Sequence, residues 1–309
     1  MNPAVTLVLA ALACAADKPD DDSANQPTTA VRAWTAPACP TLQGTEVMGN
    51  VTDKRITEAS GLVASHTYDG VLWTHNDSGD GNRLYAIDQT GALLNAWTVA
   101  DGQADDLEDI AIGQMSGEWW LFLADFGDNS KRRKYVVVTA SAEFDPAVAD
   151  PGVTMHRRMQ LMYPDGAHNA ETLLFDPLTE DLLIITKALS GPIGIYRKAA
   201  PHMTGSETTL EKVGELDFRT KPLKGSFPTA GDVHVSGEWV TLRNYGGTYW
   251  VWPRDPSKPL WEAFENAPCG YPVPREPQGE AIAFGANGLE LWTLSEGTKQ
   301  PLYRTTLTP

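Results

Sequence analysis

Five stretches of this chain repeat the same order of parts, and that repeat constrains the fold more than any single motif does. Each copy opens on a small or acidic residue followed by an aliphatic strand. A turn leads into a strongly apolar strand that ends in a polar turn, and a third strand rich in Tyr, Val or Trp follows. The copies begin SGLVAS from Ser60, EDIAIG from Glu108, ETLLFD from Glu171, GDVHVS from Gly231 and GEAIAF from Gly279. Their second strands lie in VLWTHNDSGD, WWLFLADFGDN, DLLIITKAL, EWVTLRNYGG and LELWTLSEG. A fourth strand fits after the third in most copies, as at Leu94 to Val99 or Leu210 to Leu216.

Starts spaced roughly 50 to 60 residues apart, with four strands to a unit, are what a β-propeller blade requires. The expectation is an all-β, five-bladed propeller of four-stranded blades. The last copy reaches the C-terminus without a fourth strand, and residues around Glu46 to Ile56 are expected to supply it and close the ring. Six blades is the variant if Asp145 to Gly166 hides an irregular one. A β-sandwich or a two-domain all-β chain is the structural alternative; it accounts for short strands but not for the repeated opening and turn.

The N-terminus reads as an export signal. Ala4 to Ala16 is an apolar run, too short to span a bilayer but of the length of a signal-peptide core, and Asp17, Lys18, Pro19 and Asp20 to Asp22 follow it. Ala11-Leu12-Ala13-Cys14 resembles a lipobox, with cleavage after an Ala-x-Ala site as the alternative. The domain reading is a signal peptide over 1–16, a solvated linker over 17–44 and one propeller over 45–309. Export places Cys39 and Cys269, both in Pro-rich turns, where cysteines pair; two free thiols is the other reading. The expected location is the periplasm, the outer membrane through a lipid at Cys14, or the exterior.

Charge narrows the partners. With a formal net charge of −16, the chain lacks the basic face that a phosphate backbone requires, so no nucleic-acid partner is expected. Membrane contact is expected only through a lipid at Cys14, and the chain is expected to be a monomer. An acidic surface suits a collector of divalent cations, although it is also common among soluble proteins.

In a propeller the first strand of every blade lines the channel, so the repeat's opening residues converge. That layer brings Glu108, Glu171 and Glu280 together, with Glu58, Asp106 and Asp232 close by in sequence. Crowded carboxylates must be protonated or neutralised by a cation. An all-oxygen donor set favours a hard ion, Ca²⁺ ahead of Mg²⁺. The alternative is that each Glu satisfies backbone amides at a blade junction.

The turn after the second strand repeats as well. His75 to Asp80 aligns with Ala124 to Asn129, and Asn244-Tyr245-Gly246 and Ser295-Glu296-Gly297 hold the same place later. The third copy has Lys187 there, and the fourth has Arg243 just before Asn244. If these loops share one rim, a cation beside Lys187 and Arg243 is a receptor for a phosphate or carboxylate; simple solvation of the two bases is the alternative. Among the six histidines, His75 in the acidic turn and His168 near Glu171 are the candidate general bases. No G-x-S-x-G, P-loop or dinucleotide fingerprint occurs, so serine-hydrolase and nucleotide-fold chemistry have no support. The tryptophans fall at strand positions, where core packing is the default.

Trp73 to Asp80, Asp106 to Ala111, Asp125 to Asn129 and Asn169 to Asp176 carry a resemblance to bacterial secreted propellers described as phytase-like or esterase-like. The pattern is also similar to calcium-dependent apyrases and to metal-dependent lactonases of the gluconolactonase group. The resemblance implies a channel metal held by acids from several blades. Glu108, Glu171 and Glu280 are the positions that match this role, with Asp77, Asp125 and Asn244 as rim ligands. The expected function is hydrolysis of a small anionic or ester substrate with Ca²⁺ as cofactor, Lys187 and Arg243 holding the anion. A non-catalytic cell-surface binding propeller is the competing expectation.

Overall fold

The computed structural model describes residues 33–308 except 81, 100–104, 150–156, 190, 206, 218–226, 246 and 289. Two compact units divide the chain, Met1–Trp34 and Thr35–Pro309. The signal-peptide reading over 1–16, Cys14, the linker up to residue 32 and His156 lie outside the described residues. All that follows concerns the second unit.

The strands come in the order that the repeat predicts. After β1 (Thr41–Asn50), the strands β2 (Ala59–Ala64), β3 (Val71–Asn76), β4 (Arg83–Asp88) and β5 (Leu93–Thr98) make one antiparallel sheet in sequence order. The second sheet is β6 (Leu107–Met115), β7 (Glu118–Asp125), β8 (Val136–Ala142) and β9 (Arg157–Met162). Next come β10 (Ala170–Phe175), β11 (Leu182–Thr186), β12 (Ile193–Lys198), β13 (Glu207–Thr209) and β14 (Glu211–Leu216). Four of these form the third sheet, while the short β13 runs parallel to β9 and extends the second. The fourth sheet is β15 (Ala230–Val233), β16 (Trp239–Arg243), β17 (Thr248–Pro253) and β18 (Cys269–Pro272), with a 3₁₀ turn at Leu260–Glu265 before its last strand. The fifth is β19 (Gly279–Phe284), β20 (Glu290–Ser295) and β21 (Pro301–Thr308), completed by β1.

Five sheets meet in five apolar seams. Leu84 and Trp97 of the first blade pack against Ile110 and Leu123 of the second. Phe122 and Val138 meet Leu173 and Tyr196, then Ile185 meets Leu242 and Trp252. Tyr249 and Val251 meet Ile282 and Leu291, and Trp292 and Leu302 close back on Leu62 and Tyr85. A seam joining the last blade to the first makes the ring closed. Second strands such as β3 and β11 are buried along their whole length, which is why they read as apolar runs rather than alternating ones. Trp73, Trp97, Trp252 and Trp292 are fully buried core residues.

Closure uses a strand from the far end of the chain. β1 pairs antiparallel with β21 from Thr41↔Thr308 to Asn50↔Pro301, earlier in the sequence than Glu46 to Ile56. The start is set by what precedes it: Cys39 is disulfide-bonded to Cys269 on β18, and the Tyr271 hydroxyl donates to the Pro40 carbonyl at 2.5 Å. The bridge is consistent with an oxidising compartment. Among the described residues no helix is long and apolar enough to cross a membrane.

The disulfide spans 230 residues, so it removes much of the freedom of the unfolded chain. The paired substitution Cys39→Ser, Cys269→Ser is expected to lower stability by about 2–4 kcal/mol, read as a lower calorimetric melting temperature. An unchanged melting temperature would show that the β1–β21 pairing closes the ring alone.

Candidate metal centre

A backbone irregularity builds the site. In β2, β6, β10 and β19 the register with the neighbouring strand slips by one residue at the same place. The unpaired residues are Ser60, Glu108, Glu171 and Glu280. A β-bulge of this kind re-aims the extra side chain and bends the strand. β15 runs without a slip, and its equivalent residue is Gly231. Antiparallel pairing sets each bulge beside the end of the second strand, so the repeated turn shares its mouth of the channel. Four blades repeat one backbone bond there: Asp77 N–H to Glu58, Gly127 to Asp106, Lys187 to Asn169 and Glu296 to Gln278.

This repeat explains why one blade differs. Gly127 stands where the other three carry Asp77, Lys187 and Glu296. A Cβ on Gly127 would lie 2.3 Å from Glu108 Oε1 and 2.4 Å from the Asp106 carboxyl. The glycine makes room for those two acids, and Asp77 from the first blade completes a group whose ligand atoms lie within 4.8 Å of one another. Three converging carboxylates and a cradle without a side chain fit a hard divalent cation. Near by, Glu280 is 3% exposed; Tyr245 donates to its Oε1 at 2.5 Å, while its Oε2 is buried without a hydrogen-bond partner.

Burial and like charge act together on these acids. Burial, then the charges of Glu171, Asp77 and Asp106, push Glu108 well above the usual carboxylate range. Burial and Asp77 raise Asp106 to about 6 against the pull of Arg133. Burial raises Glu171 to about 7 although Lys187 opposes it. Burial also brings Glu280 to about 7 against its Tyr245 bond, and raises Glu296 to about 7 with Glu280 and Asp77 adding to it. Lys187 bonds Glu171 and lies over the rings of Phe227 at 4.8 Å and Tyr245 at 5.7 Å. Its burial favours loss of the proton, but Glu171, Glu108 and Glu280 outweigh this and hold it charged.

The remaining residues singled out in the sequence take other places. Asp125 is buried and accepts from the backbone N–H groups of Asp105 and Asp106 and from Arg133 Nη1 at 2.7 Å, so it shapes the loop under the group. His75 is fully buried; its Nδ1 donates to the Asn76 carbonyl at 2.8 Å, and its Nε2 lies against Gly61. Burial lowers its pKa and keeps it neutral. His168 belongs to a separate, partly exposed cluster with Asp165 at 2.8 Å and Tyr196 at 2.9 Å. Arg243 is buried, donates to the Ala281 carbonyl at 2.8 Å and pairs with the buried Glu276 carboxyl at 2.5 Å. Asn244 follows it, also buried. Glu276 and Arg133 carried no sequence signal, and Gly127 and Tyr245 stood out only as members of the repeated turn. Aligning the copies two residues before the bulge, over Glu58, Asp106, Asn169 and Gln278, is what singles out Asp106.

At the opposite end of the sheets, a cavity of about 390 Å³ is lined from all five blades, including His66, Trp119, Phe175, Asp232 and Phe284. His66 stacks on Trp119 there at 4.0 Å. Asp232 turns both oxygens to backbone N–H groups, of Val233 and of Phe284 in the next blade. It is therefore a tie between blades.

No family model matches the chain, and no curated protein matches it. Among solved structures, a gluconolactonase from Xanthomonas campestris is 12% identical, with the match covering 88% of this chain and 96% of that one at a TM-score of 0.49. That likeness is too slight to carry an argument about the site.

The raised acids make stability depend on pH. Each holds its proton more tightly in the folded state than in the unfolded one. Its contribution is fully present below the ordinary carboxylate range and is lost as pH rises through about 6 to 7. Asp165, which its hydrogen bonds hold at about 2 against partial burial, acts below this window. The melting temperature of chelator-treated protein is expected to fall from pH 5 to pH 8, and saturating Ca²⁺ to flatten that fall. Identical profiles with and without Ca²⁺ contradict the reading.

Proposed function

We propose that this chain is an exported, divalent-cation-dependent hydrolase of a small ester or phosphoester, with Ca²⁺ as the favoured ion. The observation that carries the reading is the convergence of Asp77, Asp106 and Glu108 from two blades around the space left by Gly127. These three residues would hold the ion. When bound, it supplies Lewis acidity toward an ester or phosphoester oxygen.

The chain's own groups have roles that follow from their partners. Glu171, with a pKa of about 7, is matched to accepting a proton from water near neutral pH. Lys187 keeps a positive charge in a mouth otherwise lined by acids, which favours an anionic group on the substrate. Its position over Phe227 and Tyr245 limits its motion. Tyr245 holds Glu280 by one oxygen and leaves the other directed by no protein donor.

The second reading is a binding propeller whose acidic layer is structural. It is favoured by the Glu171–Lys187 pair and the Tyr245–Glu280 bond, which satisfy two of the channel glutamates from within.

Calorimetric titration separates the two. Chelator-treated protein is expected to bind one Ca²⁺, with Glu108→Gln, Asp77→Asn and Gly127→Ala each weakening it at least tenfold. Glu171→Gln is expected to keep Ca²⁺ affinity and lose turnover of whichever generic ester or phosphoester the parent protein hydrolyses. Absence of Ca²⁺ binding by the parent protein sinks the metal-hydrolase reading. Ca²⁺ binding with no chelator-sensitive hydrolysis favours the binding propeller.

A further inference from the structure

The loop between β7 and β8 carries Lys131-Arg132-Arg133-Lys134, four consecutive bases in a chain with a net charge of −16. Arg133 is used inside the loop. Its Nη1 donates to Asp125 at 2.7 Å and to the Gly127 carbonyl at 3.0 Å, and its backbone N–H donates to Asp128 Oδ2 at 2.7 Å. The loop's acids, Asp125 and Asp128, are thereby turned inward. Lys131, Arg132 and Lys134 are exposed, and among the described residues they form no ion pair. The loop that places Gly127 against Glu108 and Asp106 therefore also carries three exposed bases that no acid of the loop pairs.

Exposed lysines and arginines are ordinarily just solvated. What sets these apart is their position. Like charges three in four residues repel one another, and in a chain with 40 acids against 24 bases an exposed base readily finds a partner. Here the loop's own two acids, Asp125 and Asp128, are taken up by Arg133. The site is also anchored: Lys131 N–H donates to the Asp128 carbonyl at 2.9 Å, so the run starts from a fixed turn.

We infer that Lys131, Arg132 and Lys134 form an anion subsite on the rim of the channel mouth. It takes a carboxylate- or phosphate-bearing part of a small ligand whose other end reaches the acid group. The inference rests on the reading of that mouth as a ligand site, and it narrows the substrate class to molecules with an anionic group set apart from the reacting bond. Three free bases fall short of the cluster of about four to eight that an anionic membrane surface ordinarily recruits, which favours a small anion as the occupant.

The test uses tripolyphosphate and citrate as probes, each titrated into the chelator-treated full chain at low ionic strength. The parent protein is expected to bind at least one probe, more weakly as salt is added. The triple substitutions Lys131→Glu, Arg132→Glu, Lys134→Glu and Lys131→Gln, Arg132→Gln, Lys134→Gln are expected to weaken that probe at least tenfold and at least threefold. All three positions are exposed, and both variants should melt with the parent. The probe preferred tells a phosphate ligand from a carboxylate one. Equal probe affinity in all three forms overturns the subsite, and so does binding to anionic vesicles with neither probe bound. A Ca²⁺ titration run alongside keeps the outcomes apart, since a chain that binds Ca²⁺ at Asp77, Asp106 and Glu108 yet fails here loses the subsite alone.

Discussion

Carboxylates packed at one end of the channel create the problem that the rest of this structure answers. Glu108, Glu171 and Glu280 are each the extra residue of a bulge, and a bulge leaves its residue outside the ladder of backbone bonds. The buried charge must then be met in another way. One glutamate is met by Lys187 and one by Tyr245. Glu108 has neither, and stands with Asp106 and Asp77 around a space that only a glycine leaves open. Protons or a cation have to complete it.

The ring supplies the rigidity that such a group requires. Ser60 Oγ donates to the Glu108 carbonyl at 2.6 Å, so the bulges of two neighbouring blades are tied directly. Asp109 accepts from Leu173 N–H in the third blade at 2.8 Å. Farther out, Arg254 of the fourth blade grips Asp176 of the third through two bonds of 2.6 and 2.9 Å. Blade positions are thereby fixed by polar bonds near the channel and by apolar seams outside them. The blade without a bulge, the fourth, contributes a buried Arg243–Glu276 pair instead of a channel acid.

Much of the architecture was legible because a repeat states the same thing several times. Five openings, five apolar second strands and a missing last strand favoured five blades, with a sixth left open over Asp145 to Gly166, and pointed to closure by the N-terminal segment. The site was legible only in outline. The channel glutamates were visible as openings of the copies, but nothing in their residue types distinguishes a bulged strand from a regular one, because the slip is a property of pairing. Asp77 and Glu108 were among the expected ligands and Asp106 stood beside them, but that these three and not the other acids would meet was hidden. Asp77, Asp106 and Glu108 come from two copies and are brought together by the absence of a side chain at Gly127. Arg243 and Lys187 looked alike as rim bases. The structure separates them by burial, one paired inside with Glu276 and the other at the mouth with Glu171. The basic run at Lys131 to Lys134 was passed over in the sequence, where nothing tied it to the channel acids.

Locating an ion directly is the sharpest test. Crystals of the folded chain soaked in a manganese salt give an anomalous signal that marks a divalent site without reference to activity. The account predicts one dominant peak within coordination distance of the Asp77, Asp106 and Glu108 carboxylates, beside Gly127. A saturating soak that leaves this position empty, or puts the dominant peak elsewhere on the acidic surface, would contradict it.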